Sequence, residues 1–370
     1  MVSGCNASIG KLFMKVLHFI WSLNVGGAET LLIDILREQM KHDDIALMIG
    51  NAEASQSLLS TIPDGIRLVL LNRPAGSRNP YYFLKIQWEL YKFRPDIIHT
   101  HHDSLIRLLS FVNKTKVVTI HSTGLPLTER LTEYCQVFCI SEAVGQDVTI
   151  QIPTCKPVVV HNGIRISCFK TKKQNPVDSF RIVQVSRLDH NVKGQDILLR
   201  SLHVLKEQSG LPEIFVDFIG AGMSRAFLEQ LTSDLGLAGR CRFLGEQSRE
   251  YLYDNLCNYD LLVQPSRSEG FGLTIVEGMA AKIPVLVSSI DGPLEIIGHG
   301  KFGYQFSSED HLDCARLILQ IIRDYQDGNI SELIDRAHFN ASNYYDIERT
   351  AMTYRAEYGK LIQQHREVGK

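Results

Sequence analysis

The stretch Leu261-Leu-Val-Gln264-Pro-Ser-Arg-Ser-Glu269-Gly270-Phe271-Gly272-Leu273-Thr274-Ile-Val-Glu277-Gly-Met-Ala280 reads as strand, glycine loop and helix. Leu261–Gln264 is a short apolar run. Two glycines then punctuate a polar loop, and from 273 to 281 apolar residues recur at helical spacing. A helix that opens straight after a loop has backbone amides without intrahelical acceptors, and these favour a phosphate oxygen or another anion. Glu269 lies in the loop and Glu277 within the helix. Local spacing keeps them from forming a close acid/base pair, but each can accept hydrogen bonds from a different hydroxyl of one extended polyol. Taken alone, the segment reads equally well as a glycine turn with a glutamate at a helix dipole.

Outward from this stretch the same unit repeats. Strands are expected at 181–185, 214–219, 242–244, 261–264 and 285–287, with helices at 195–207, 223–235, 250–257 and 273–281. An earlier series places strands at 15–20, 45–49, 66–71, 96–99, 116–120, 136–140 and 158–160, with a helix at 28–40 and further helical segments between most of the strands. Several runs are apolar throughout, as strands buried on both faces of a parallel sheet are. Alternating β and α indicates a doubly wound α/β class. The expected domains are 14–168 and 178–344, after a polar, disordered lead over 1–13 and joined by a turn-rich linker at 170–178. From Glu309 onward the chain reads as mostly helical. Two Rossmann-like halves face each other across a cleft, and ligands of such sheets bind outside the carboxyl ends of the strands.

Composition narrows the function. A chain of 370 residues with 44% hydrophobic and 22% charged residues has the make-up of a two-domain globular enzyme. A net charge of −2, with charges mixed along the chain, gives no basic surface for nucleic acid. The eight cysteines form no C-x-x-C pair and read as small buried apolar side chains in a reducing compartment. No run of about 18 apolar residues and no cleavable leader is found, so the protein is expected to be cytoplasmic.

Three further loops follow strands. Val185-Ser186-Arg187-Leu-Asp-His-Asn-Val-Lys193-Gly-Gln-Asp196 carries two cations beside a helix start, which suits a diphosphate. Asn24-Val-Gly26-Gly27-Ala28-Glu29 is neither G-x-G-x-x-G nor a P-loop, so a dinucleotide oxidoreductase is disfavoured. Its paired glycines still allow close backbone approach to a ligand. His121 ends the strand at 116–120, and His99, His101, His102 and Asp103 follow the preceding one. His99 and His101 are expected on opposite faces, and no D-x-D follows any strand, so no metal site is expected.

Together these loops resemble the retaining family 4 glycosyltransferases of the GT-B fold, from Met14 to about Ile297 and in the family's order. The most specific element is Glu269-x7-Glu277, supported by Ser186-Arg187-Leu188 with Lys193-Gly-Gln-Asp196, by Asn162-Gly163-Ile164 and by Gly26-Gly27-Ala28-Glu29. The family more often has glycine where Ser186 stands.

The resemblance implies roles. Glu277 would hold the ribose hydroxyls and Glu269 the hydroxyls of the donor sugar. The backbone of Gly270, Phe271, Gly272, Leu273 and Thr274 would bind sugar and diphosphate, with Gly26 and Gly27 approaching from the other domain. Arg187 and Lys193 would neutralise the departing diphosphate, and His121 would lie beside the reacting carbon. The tail at 345–370, with Tyr344, Tyr345, Tyr354 and Tyr358 in and beside it, would pack back on the first domain.

The implied activity is metal-independent, same-face transfer from a nucleotide-sugar, UDP-sugar favoured, to a glycan or lipid-linked acceptor. Surface polysaccharide synthesis is the implied setting, with no cofactor, no nucleic-acid partner and a peripheral contact at the inner face of a membrane. Alternatives are another GT-B enzyme, such as a sugar-nucleotide epimerase or a phosphorylase, or a non-catalytic nucleotide-sugar-binding subunit.

Overall fold

A computed structural model of the chain describes residues 13–24 and 26–368. The lead expected over 1–13 lies, but for Phe13, outside the described residues.

The first sheet contains β1 (Lys15–Ile20), β2 (Asp44–Asn51), β3 (Arg67–Arg73), β4 (Ile97–Thr100), β5 (Thr115–Ile120), β6 (Gln136–Cys139) and β7 (Val158–Val159). Its order is β3-β2-β1-β4-β5-β6-β7, all parallel. Between the strands run α1 (Gly27–Gln39), α2 (Gln56–Leu59), α3 (Pro80–Phe93), α4 (Ile106–Leu109) and α5 (Glu142–Gln151). The second sheet contains β8 (Ser179–Val185), β9 (Glu213–Ile219), β10 (Cys241–Gly245), β11 (Leu261–Gln264), β12 (Val285–Ser288) and β13 (Tyr304–Phe306). Its order, β10-β9-β8-β11-β12-β13, repeats the pattern, again all parallel. Its helices are α6 (His190–Lys193), α7 (Gln195–Lys206), α8 (Arg225–Asp234), α9 (Arg249–Asn255), α10 (Leu273–Ala280) and α11 (Asp291–Ile296). The chain ends in α12 (His311–Gln326), α13 (Ile330–Tyr344) and α14 (Ile347–Val368).

This is the expected α/β class with two Rossmann-like sheets. Both reverse direction beside their first strand, so the loops after β1 and β4, and after β8 and β11, lie at the switch points where such sheets bind ligands. The central strands are covered on both faces: β1 is buried from Val16 to Ile20, and β11 and β12 throughout. That explains their unbroken apolar sequence. β13 was not anticipated; its three residues carry too short a pattern to stand out.

Two crossings join the halves. The first passes through Asn162-Gly163-Ile164 and the second through Tyr345 and Asp346, and they bridge where Ile164 N–H donates to Tyr345 O and Ile347 N–H to Ile164 O, both at 2.9 Å. A methyl at Gly163 would lie 2.7 Å from the Asp346 carbonyl, so only glycine lets the two segments touch. α14 then packs along α1, burying Tyr354, Tyr358, Leu361 and Ile362. Tyr345 is buried at the crossing, whereas Tyr344 is exposed and stacks on Arg349. Each fully buried large apolar side chain contributes roughly 1.5–3 kcal/mol, which anchors the tail. Among the described cysteines, Cys139, Cys155 and Cys314 are buried as expected, but Cys135 and Cys168 are exposed.

Candidate functional site

The carboxyl ends of the two sheets meet at the cleft. From the second sheet comes the loop Pro265–Gly272, and Gly272, at φ 107°, caps α10. From the first, the backbone of His121 and Ser122 packs against Gly270, and the Ser141 hydroxyl donates to Gly270 O at 2.6 Å. Gly27, at the start of α1, faces Leu273. Gly26 makes room for the Glu29 carboxylate folded over it. The structure thus brings Gly26, Gly27, His121, Gly270, Gly272 and Leu273 to one place. Phe271 differs from the rest: its ring is buried against His161 and Tyr345, so the side chain braces the loop from behind. Thr274 donates its hydroxyl to Gln264 Oε1 at 3.2 Å, pinning α10 to β11.

Lys193 reaches Glu269, Nζ to Oε2 at 2.6 Å, with both side chains mostly buried. Gln264 Nε2 donates to the same oxygen at 3.4 Å. The turn carrying Lys193 is tied down by Arg267, which donates to both Asp196 oxygens at 2.8 and 3.0 Å and to His190 O at 2.6 Å. Gly194, at φ 63°, completes the turn, and a methyl there would overlap the Pro265 carbonyl. Arg187 stands apart: its side chain is 66% exposed and pairs only weakly with Asp189, 3.4 Å away.

Glu277 points from α10 with Oε2 enclosed and unpartnered, and burial raises its carboxyl to about 7 against the pull of Arg249. A buried carboxyl oxygen without a donor is uncommon in a folded protein and marks Glu277 as a candidate binding group.

On the first sheet's side, a cavity of about 230 Å³ opens at the ends of β1, β4 and β5, lined among others by Trp21, Ser22, Glu29, His101, His102 and His121. Burial raises the Glu29 carboxyl. Behind the cavity runs a chain of histidines. Gln39 Oε1 lies 2.8 Å from His18 Nε2, His18 Nδ1 3.0 Å from His101 Nε2, and His101 Nδ1 3.1 Å from His121 Nε2. His121 Nδ1 is enclosed without a partner. Burial lowers His18 and His121 to about 4 and His99 and His101 well below their ordinary value.

Contrary to the sequence reading, His99 and His101 share a face, their rings stacked at 4.5 Å. Residues two apart on a strand point the same way, which the reading overlooked. Ring nitrogens of His18, His99 and His101 come within 4.8 Å of one another. Each already has partners, however, His99 through Tyr358 at 2.6 Å and Thr119 at 2.7 Å. The group therefore reads as a hydrogen-bonded core.

Contacts between the two halves were not legible in the sequence. Asp34 on α1, buried, pairs with Arg37 at 3.1 Å, Arg165 at 2.7 Å and Arg249 of α9 at 2.6 Å. Glu295 on α11 accepts from Glu142 N at 2.9 Å and pairs with His161 at 2.7 Å. Apart from Asp34–Arg37, which lie one helical turn apart, these pairs link residues distant in sequence, so no local pattern announces them.

Comparison with known proteins agrees with this geometry. Residues 25–167 match the model for Glycosyltransferase Family 4, and residues 168–338 that for Glycosyl transferases group 1. An uncharacterized glycosyltransferase of Methanocaldococcus jannaschii is 30% identical over 238 residues, 55% of this chain and 60% of that protein. A D-inositol 3-phosphate glycosyltransferase of Streptomyces avermitilis is 27% identical over 57% of this chain and 48% of its own length. The match thus spans about half the length of these curated relatives. Among solved structures, a glycosyltransferase from Rickettsia africae superposes with a TM-score of 0.81 at 17% identity, covering 95% of this chain and 99% of its own. Anabaena Alr3699/HepE in complex with UDP superposes at 0.78 and 22% identity, covering 94% and 100%. With both halves matched in order and both sheets superposed, the chain belongs to the glycosyltransferases of GT-B fold, joining a family 4 amino-terminal half to a group 1 carboxyl-terminal half.

Proposed function

We propose that the protein transfers a sugar from a nucleoside-diphosphate donor, a UDP-sugar, to a hydroxyl of a glycan or lipid-linked acceptor, with retention at the anomeric carbon. The observation that carries this reading is the pairing of Lys193 with Glu269 beneath the α10 amino terminus, directly across from Gly27 and His121. The Anabaena structures with UDP and with UDP-glucose support the choice of base.

Breaking a sugar–phosphate bond leaves negative charge on the diphosphate and positive character on the sugar. Lys193, Arg187 and the first-turn amides of α10 supply positive potential where the diphosphate departs, so the reaction runs without a metal or cofactor. Glu277 accepts from the ribose hydroxyls and Glu269 from those of the donor sugar. His121, neutral, lines the acceptor cavity beside the reacting carbon. The departing phosphate oxygen takes the acceptor proton on the same face. The chain works in the cytoplasm and touches the inner membrane surface, where it contributes to surface polysaccharide synthesis; no described helix is long and apolar enough to cross a membrane.

The test is product analysis with UDP-sugars and a panel of glycan and lipid-linked acceptors in EDTA. A product with the donor's anomeric configuration is expected. Donor conversion without acceptor would instead indicate an epimerase, and binding without turnover a non-catalytic subunit.

A further inference from the structure

Helix α3 has two apolar sides. Ile86, Leu90 and Phe93 face the sheet and are buried. On the outer side, Tyr81, Leu84, Trp88 and Tyr91 recur at helical spacing and are 57, 64, 55 and 64% exposed. A helix that covers a sheet ordinarily turns a polar face to water. Six of the seventeen residues from 78 to 94 are aromatic, against 8% of the chain, and one of them is one of its two tryptophans. The patch continues onto the loop after α4, where Phe111 is 85% exposed and meets Phe83 edge-on at 6.2 Å.

The charges on and beside it are mostly basic. Lys92 lies 5.1 Å over the Trp88 ring and Arg94 5.6 Å over the Tyr91 ring, while Trp88 and Tyr91 stack at 6.0 Å. Arg78, Arg107 and Lys114 are exposed nearby along the chain. The only acid between 78 and 94, Glu89, is taken up by Arg67 at 2.8 Å. In a protein of net charge −2, this is a local basic excess set around aromatic side chains. Tryptophan and tyrosine with lysine and arginine on one exposed face suit the boundary between anionic headgroups and acyl chains.

We propose that the outer face of α3, with Phe111, is a docking surface for an anionic lipid bilayer, on which Trp88 and Tyr91 insert and Lys92 and Arg94 bind headgroups. This deepens the membrane contact in the functional reading but does not depend on sugar transfer, because vesicle binding is measured without donor or acceptor.

The full chain is mixed with vesicles of phosphatidylcholine alone, or with about a third phosphatidylglycerol, and cosedimentation is measured. A Trp21→Phe background leaves Trp88 as the only tryptophan, excited at a wavelength where tyrosine does not absorb. Binding to the anionic vesicles is expected, with a blue shift of Trp88 emission, and about tenfold weaker binding to neutral vesicles. Trp88→Ser/Tyr91→Ser and, separately, Lys92→Glu/Arg94→Glu should each weaken binding by about tenfold or more, with an unchanged circular dichroism spectrum and melting temperature as proof of folding. No binding to anionic vesicles, equal binding by the variants, or unchanged Trp88 emission overturns the proposal. So does self-association that the same substitutions abolish, which would assign the face to a second copy of the chain.

Discussion

His101 Nδ1 lies 3.1 Å from His121 Nε2, and this contact ties the tautomer of His121 to the orientation of the Gln39 amide. Gln39 Oε1 can only accept, so His18 donates through Nε2 and accepts at Nδ1 from His101 Nε2. His101 Nδ1 is then bare and accepts from His121 Nε2. The consequence is a neutral His121 whose Nδ1 carries the lone pair. His121 Nδ1 then has no donor facing it. Nitrogen-15 spectra of histidine-labelled protein, with the His121 signal assigned by His121→Gln, should show the Nε2–H tautomer. An Nδ1–H signal would reverse the chain.

The same histidines make stability depend on pH. Folded His18 titrates at about 4 against an ordinary 6.5, so between those values the unfolded chain binds more protons. Stability is therefore complete above about pH 6.5 and falls as pH drops toward 4, by up to roughly 3 kcal/mol for His18 alone. Urea unfolding across this range should show the loss, and His18→Gln should flatten it. Equal slopes would mean that His18 titrates normally.

Glu277 has the opposite sign. Its carboxyl is raised to about 7, so the folded protein loses stability as pH rises from about 4.5 to 7. Glu277→Gln should raise the melting temperature at pH 8 while weakening UDP affinity by roughly tenfold or more, the worth of a charge-assisted hydrogen bond. Unchanged UDP affinity would remove Glu277 from the ribose site.

Lys193 and Arg187 should separate by experiment. Lys193→Met leaves the mostly buried Glu269 unpaired, so stability should fall by about 1–3 kcal/mol along with turnover. Arg187→Ala, exposed and weakly paired, should change stability by less than about 0.5 kcal/mol while lowering turnover strongly. Full turnover in Arg187→Ala would exclude it from leaving-group stabilisation.

Gly194→Ala should cost about 2 kcal/mol or more, because it meets both a positive φ and the Pro265 carbonyl. Gly124→Ala has a positive φ but open space around it, and is the control expected to cost less.

What the sequence revealed was local. Strand, loop and helix follow one another within about twenty residues, so the unit from 261 to 280 and its partners could be read directly. The Lys193–Glu269 pair was named as two separate residues, since nothing along the chain shows that residues 76 apart touch. Asp34 with Arg165 and Arg249, and Gln39 at the head of the histidine chain, lay outside the reading for the same reason: their partners come from other elements. Trp21 escaped because it follows an apolar strand and looks like its continuation. The α3 face escaped because apolar residues on two sides of a helix read as core.

The most direct test of the central claim is calorimetric titration of UDP, GDP and ADP in EDTA into the wild-type protein and Glu277→Ala. UDP should bind the wild type without metal, GDP and ADP should bind more weakly, and Glu277→Ala should lose most of the UDP affinity. No binding by any of the three, or UDP binding that Glu277→Ala leaves intact, would contradict it.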